Sequence, residues 1–292
     1  MYTQFFGNFL LSKGYITNEQ LFDALKEKAQ KHAKLGTLAI HSGLMTAAEV
    51  DSVIVEQTHQ DKKFGELTIE MSYLTDEQVK ELLNIQSPDF LLLGQILLDK
   101  GIIDNTTLEK SIHDYRSENA ISDLDMVLED KDSINHLLGH FFANTGIDPS
   151  AIDIMYLELL FNSFIRFVGD DYTPLSAEIC DNFSADCMVR QDIEGSYAIS
   201  TYIGMSQTTA INFASRYVNE SFSVYDEYVQ ASLDDFLNLN NGLFLVNCSN
   251  DQALELTLTA PEHFDGQTRS FNKACKLKLL YPFGAIHFII EF

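Results

Sequence analysis

Basic residues are scarce in this chain. Across 292 residues, 19 lysines and arginines stand against 43 aspartates and glutamates, and the formal net charge is −24. Holding a phosphate backbone takes clustered lysine and arginine, so this balance excludes nucleic acid and disfavours an anionic membrane surface. Long apolar runs are missing too. No stretch approaches the roughly 18 residues of a membrane span, and the opening "MYTQFFGNFLLSKG" lacks the basic start of a signal peptide. The expectation is a cytoplasmic protein. Cysteine is sparse: Cys180, Cys187, Cys248 and Cys275 all lie in the second half, with no Cys-x-x-Cys pair. They read as small apolar side chains in strands and a helix, in a reducing compartment. No Gly-x-x-x-x-Gly-Lys-[Ser/Thr] loop occurs, so no ATPase engine of that kind is present.

What remains is the composition of a folded protein, 46% apolar and 21% charged, long enough for two domains. The first half repeats itself. Gly7, Gly36, Gly65 and Gly94 are spaced by 29 residues, and a second glycine follows seven residues on in three copies, as Gly14, Gly43 and Gly101. Ser72 takes that place in the third. Each copy predicts a short helix that stops at the second glycine, where a left-handed backbone ends it. A second helix then starts. Thr17 with Gln20, Thr46 with Glu49, and Thr75 with Gln78 are capping boxes, and Asp104 is the cap of the fourth copy. Leu21 and Leu25, Val50 and Ile54, Val79 and Leu83, and Leu108 and Ile112 lie four apart as the expected buried pairs. A single helix pair cannot bury its own apolar face, so stacking of the copies is expected to complete a core.

These copies resemble the N-terminal domain of type II secretion and type IV pilus assembly ATPases, the MshE N-terminal type, over about residues 5–115. Some members of that family bind cyclic di-GMP through an arginine beside the first glycine and through neighbouring backbone. Here that position holds Phe5, Lys34, Lys63 and Leu92, and the closing glutamine of the family motif is present only as Gln57 and Gln86. The resemblance implies Lys34, Gly36, Lys63 and Gly65 as candidate nucleotide contacts, although a lysine is a point charge without arginine's planar fork. The other reading of these copies is a helical protein-interaction module.

Residues 116–135 carry Glu118, Asp123, Asp125, Glu129, Asp130 and Asp132 and read as a solvated spacer. His136 and His140 are one helical turn apart, but no third metal ligand is evident, and a structural pair is expected. The pattern then changes. "SAIDIMYLELLFNSFIRFVG" and "SQTTAINFASRYVN" read as helices. "PLSAEIC", "SADCMVRQDIEG", "SYAISTYIGM", "ALELTLTA", "CKLKLLY" and "AIHFIIEF" read as strands, the middle pair and the last pair as hairpins. A long helix from about Asp226 to Asn247 contains "SLDDFLNLNNG", rich in asparagine although asparagine is an indifferent helix former. On it Asp235, Asn238 and Gly242 share a stripe, while Val229, Leu233, Phe236, Leu237, Phe244 and Val246 are available to face a sheet. Helices on a mostly antiparallel sheet make an α+β domain. The expected layout is an all-α repeat domain at 1–115, an acidic linker at 116–149 and the α+β domain at 150–292.

That last domain resembles the CheC/CheX/FliY family of chemotaxis phosphatases, CheX most nearly. The family motif is Asp or Ser, three residues, Glu, two residues, Asn, twenty-two residues, then Pro. Here Asn238 precedes Pro261 by that gap, and Gly242 and Gly266 stand where the family commonly has glycines, but the first position is Ala231 and the glutamate is Asp235. The resemblance implies a phosphatase acting on the aspartyl phosphate of a CheY-type response-regulator receiver domain. Asn238 would orient a water, Asp235 would pair with a receiver lysine, and Gly242 and Pro261 would shape the site. The chain itself would bind no cofactor, the receiver supplying Mg2+. The resemblance also implies a homodimer formed through the sheet, with the last strand available for it. A receiver-binding adaptor without catalysis, and a cyclic di-GMP sensor acting through the repeats, are the other readings.

Overall fold

The computed structural model of the chain describes residues 2–27, 33–84, 89–118, 138, 141, 142 and 145–292. Gln86, His136, His140 and the acidic residues from Asp123 to Asp132 lie outside the described residues. The chain divides into two compact units, 2–128 and 129–292. Among the described residues no helix is long and apolar enough to cross a membrane.

The described residues of the first unit form four helix pairs: α1 (Tyr2–Ser12) with α2 (Asn18–Glu27), α3 (Leu35–His41) with α4 (Ala47–Gln57), α5 (Phe64–Glu70) with α6 (Asp76–Asn84), and α7 (Asp89–Asp99) with α8 (Asn105–Glu118). Each first helix ends as its sequence requires. Gly14, Gly43 and Gly101 have φ of 72°, 65° and 64°, and Ser72 adopts φ 61° without glycine's freedom. The caps of the second helices form as well. Gln20, Glu49 and Gln78 each bond back to the backbone N–H of their threonine, which caps in return, and Asp104 accepts from the Thr107 N–H at 2.7 Å.

One expectation about packing fails in two copies. Ile54 and Leu83 are 45% and 66% exposed, and the buried partners of Val50 and Val79 are Val53 and Leu82. The buried residues of α4 and α6 lie at i, i+3 spacing, and Ile54 lines a cavity between copies two and four instead. The copies meet out of chain order. Copy one packs on copy four through α1 and α2 against α7, and copy two packs on both copy three and copy four. Copies two and three meet reciprocally. A Cβ on Gly36 would lie 3.2 Å from Phe64, and a Cβ on Gly65 would lie 3.2 Å from Leu35, each being the residue that precedes the other copy's glycine. The repeated glycines are thus places where a helix closes on its neighbours, not general flexibility.

The second unit, α+β, holds a seven-stranded antiparallel sheet in the order β1 (Thr173–Ile179), β8 (Ala274–Tyr281), β9 (Gly284–Glu291), β4 (Ile199–Met205), β3 (Cys187–Gly195) and β5 (Leu256–Leu258), with β6 (Glu262–His263) also on β3. A small antiparallel pair, β2 (Asn182–Ser184) with β7 (Thr268–Ser270), stands apart from it. Among the described residues, three helices accompany the sheet: α9 (Ala151–Phe167), capped by Ser150, α10 (Gln207–Tyr217), capped by Ser206, and α11 (Glu227–Gln252). The last strand, β9, lies between β8 and β4 with its ladder occupied on both sides. It therefore offers no edge for strand addition; β1 lies at one edge of the sheet and β5 with β6 at the other.

Candidate functional site

The long helix α11 begins where Asp226 accepts from the N–H groups of Tyr228 and Val229, each at 3.1 Å, and ends at Ala253 in a left-handed conformation. Its buried face is Val229, Ser232, Leu233, Phe236, Leu237, Asn240, Asn241, Phe244 and Cys248. Phe236 fixes the helix at its middle, with the rings of Phe164, Phe213 and Tyr217 at 4.8, 5.3 and 5.8 Å. Burying such a ring is worth roughly 1.5–3 kcal/mol. Val246, expected to face the sheet, is 55% exposed. It falls on the side of the helix that the i, i+3, i+4 stripe through Phe244 and Cys248 leaves open.

The opposite face carries Asp235 and Asn238, both exposed and three residues apart. Tyr217, at the end of α10, donates its hydroxyl proton to Asp235 Oδ2 at 2.6 Å. Burial, with the Asp235 carboxylate second, pushes the Tyr217 hydroxyl well above its ordinary value, so it stays a donor. Asp234, one residue earlier, pairs with His263 of β6, Nε2 to Oδ1 at 2.9 Å. Two carboxylates therefore flank Asn238 at i−4 and i−3, each with a partner from a different element. Sequence reasoning missed Asp234, whose signal was the Asp-Asp doublet itself. Gly242, one turn beyond Asn238, has nothing within 4 Å of where a Cβ would stand. No packing inside the chain demands glycine there.

Behind Asn238 lies a buried polar network. Gln191 of β3, wholly buried, donates from Nε2 to Asn238 Oδ1 at 2.9 Å and to the Thr259 carbonyl at 3.0 Å. Asn241 Nδ2 donates to Gln191 Oε1 and to Thr201 Oγ1, both at 2.9 Å, and Tyr156 donates to Asn241 Oδ1 at 2.7 Å. Asn240 Nδ2 in turn donates to the Tyr156 hydroxyl at 3.2 Å. The asparagines of α11 thus divide between an outward one and two buried ones that bond to the sheet and to α9. Thr259 is held in place by Asp192, whose N–H donates to its hydroxyl at 3.0 Å and whose carbonyl accepts its N–H at 3.1 Å. Pro261 follows two residues later, without an N–H to give, before β6 pairs with Val189 and Arg190. Asn238 and the strand segment ahead of Pro261 are tied through one glutamine. The buried polar position could have been read from β3, where Gln191 alternates with Val189 and Ile193 on the inward side.

The other candidate positions separate. Lys34 and Gly36 line a cavity of about 650 Å3 between copies two and four of the first unit, whereas Lys63 and Gly65 do not. Lys34 Nζ is bonded to Asp99 at 2.7 Å, and Gln95 accepts the Lys34 N–H at 3.0 Å and the Thr37 hydroxyl at 2.6 Å. Asp51 and Asp104 also line the cavity. A phosphate placed there meets one lysine, already paired, and three carboxylates. All four cysteines are free thiols and buried, and burial pushes Cys187 and Cys275 up to about 11 and about 12. Among the described residues no cluster of His, Cys, Asp and Glu is arranged to hold a metal ion.

Neither a protein-family model nor a curated protein matches the chain. Solved structures similar to it are CheC-like and CheX chemotaxis proteins, and the similarity spans about half of the chain. A CheC-like superfamily protein from Shewanella sp. PV-4 is 15% identical over 49% of this chain and 97% of its own, with a TM-score of 0.43. The chemotaxis protein CheX from Desulfovibrio desulfuricans is 13% identical over 48% and 98%, at 0.42. A chain of the CheX–CheY–BeF3–Mg2+ complex from Borrelia burgdorferi is 18% identical over 47% and 94%, at 0.37.

Proposed function

We propose that the C-terminal unit accelerates hydrolysis of the aspartyl phosphate on a CheY-type receiver domain, and that the N-terminal helix pairs target or regulate it in the cytoplasm. The observation that carries this reading is the pairing of Asp235 and Asn238, side by side and exposed on the free face of α11. The Asn238 carboxamide is held from behind by Gln191, and the Asn238-to-Pro261 gap matches the family motif.

In this reading Asn238 enters the receiver's phosphate pocket, where a carboxamide can both donate to and accept from a water. The water oxygen attacks phosphorus in line, the bond from phosphorus to the receiver carboxylate breaks, and inorganic phosphate leaves. Positioning supplies most of the acceleration in such a transfer. The receiver brings the Mg2+ that neutralises charge on the phosphoryl oxygens. Asp235 pairs with a receiver lysine and sets the register of the two proteins, with Tyr217 holding its carboxylate ready.

The test is loss of phosphate from a labelled cognate receiver, with the native chain and with Asn238→Ala. The variant is expected to leave only the receiver's own rate. Equal rates for the two proteins would remove Asn238 from the mechanism. Tight binding to a beryllofluoride-loaded receiver without faster dephosphorylation would make the chain an adaptor.

The cavity beside Lys34 and Gly36 motivates a second reading, in which the N-terminal unit takes cyclic di-GMP. A nucleotide there would meet a Lys34 ammonium already bonded to Asp99. Titration calorimetry on the intact chain tests it, and no heat at micromolar nucleotide would dismiss it.

A further inference from the structure

We infer that Gln191 is a positioning residue for Asn238: it dictates which end of that carboxamide faces the partner. The inference rests on reading Asn238 as the group that orients water, and it adds a residue that no part of the motif contains. An exposed asparagine can turn its amide over at little cost, presenting oxygen or nitrogen. Here the choice is made from inside.

The polarity of the network follows from two main-chain carbonyls, which can only accept. The Thr259 carbonyl lies 3.0 Å from Gln191 Nε2, so the amide nitrogen of Gln191, not its oxygen, must face that side. Its second proton then goes to Asn238 at 2.9 Å, and Asn238 has to answer with Oδ1. Gln191 Oε1 is left to accept from Asn241 Nδ2. At the other end the Thr201 hydroxyl donates to the Gln191 carbonyl at 2.9 Å, so its oxygen accepts the remaining Asn241 proton. Asn241 Oδ1 must therefore accept from Tyr156, and the Tyr156 oxygen from Asn240. Reversing any one amide sets donor against donor or oxygen against oxygen in a buried place, which costs more than losing a single bond.

Asn238 is thus the terminus of a chain of fixed polarity. Its Nδ2 makes no hydrogen bond among the described residues, so both of its protons are available to a partner, and Oδ1 retains one lone pair. Gln191 itself is wholly buried and cannot touch a receiver. Its effect has to pass through Asn238.

The experiment compares the full chain with Gln191→Met, which keeps the size and removes both donors, and with Tyr156→Phe, which removes the far end of the network and leaves the bond from Gln191 to Asn238. With a phosphorylated receiver, Gln191→Met is expected to lower kcat by about ten- to a hundredfold, the range of a displaced reacting group, with KM within about twofold. Tyr156→Phe, though destabilised, should keep kcat within about threefold, since the bond at Asn238 survives. If both variants lose kcat in proportion to their loss of thermal stability, Gln191 is only structural and the inference falls. A second readout needs no activity: the Asn238 side-chain amide resonances of the 15N-labelled chain should shift in Gln191→Met and hold in Tyr156→Phe. Should the native chain prove inactive toward receivers, the proposed function fails and this spectrum alone decides. Unmoved Asn238 resonances in Gln191→Met would overturn the positioning role.

Discussion

The Tyr217 hydroxyl and the Asp235 carboxylate meet at 2.6 Å across the contact of α10 with α11. The tyrosine ring is itself fixed, stacked on Phe213 at 5.9 Å with an interplanar angle of 11°. A surface carboxylate is ordinarily free among rotamers, and ordering one on binding costs about 0.5–1.5 kcal/mol. Here that cost is met within the fold. Tyr217→Phe keeps the ring and frees Asp235, so KM for a phosphorylated receiver should rise by about two- to tenfold, the same energy expressed as affinity. The value of kcat should not change. A receiver titration that gives the native KM for Tyr217→Phe would show that Asp235 is not the docking group.

His287 gives the second unit a pH dependence. On β9 its ring lies 5.0 Å from Phe183, and burial, then Lys278 and Lys276, lowers its pKa to about 4. Glu178 opposes this only partly. The folded chain therefore holds a neutral imidazole where the unfolded chain takes up a proton near pH 6.5. Stability is fully present above about pH 6.5, declines as the pH falls and levels off near 4, with a difference of about 1–2 kcal/mol already at pH 5. Urea denaturation at pH 7.5 and pH 5 should show this loss in the native chain and a smaller one in His287→Phe. Equal losses in the two would place the titrating group elsewhere.

Ser72 is the third copy's exception. It holds φ 61° where Gly14, Gly43 and Gly101 hold nearly the same angle. A left-handed backbone costs a residue with a Cβ about 1–2 kcal/mol, and glycine returns part of that through unfolded-state entropy. Ser72→Gly should stabilise the chain by about 0.5–1 kcal/mol, and Gly43→Ala should destabilise it by a similar amount. Equilibrium denaturation checks both signs. A loss on Ser72→Gly would mean that the serine side chain contributes something the backbone does not show.

Ser72 also marks where sequence reasoning succeeds. Turn glycines, threonine caps and the 29-residue register are local: each is set by φ preferences and by bonds spanning three or four residues, so position alone exposes them. The strands and hairpins of the second unit were legible for the same reason. What stayed hidden depends on distant partners. Nothing near Ile54 or Leu83 in the sequence says that copies two and three bury Val53 and Leu82 instead. The contact of copy one with copy four is a matter of tertiary geometry. β2 and β7 are three residues each and pair across a wide gap in the chain. At the candidate site the outward pair Asp235 and Asn238 was readable from helical spacing. The inward place of Gln191 was readable from alternation along β3, but its role was not, because a buried glutamine takes its meaning from the carbonyl and the two asparagines around it, and those arrive from β3's neighbours and from α11.

Gly242 offers a case in which stability and function should move apart. It lies inside α11, where glycine is worse than alanine by roughly 0.8–1 kcal/mol, and a Cβ there would meet nothing within 4 Å. The fold should therefore gain about 0.5–1 kcal/mol from Gly242→Ala. The same open space lies one turn from Asn238, on the face that the proposed receiver approaches. A larger side chain is harmless to the free chain but stands in the way of a partner. Gly242→Leu should thus unfold at no lower urea concentration than the native protein, yet raise KM for a phosphorylated receiver by tenfold or more, about 1.4 kcal/mol of lost affinity. Urea titration and receiver kinetics on the same preparation read both effects. If Gly242→Leu is stabilised and its receiver kinetics are native, this face of α11 does not make the contact.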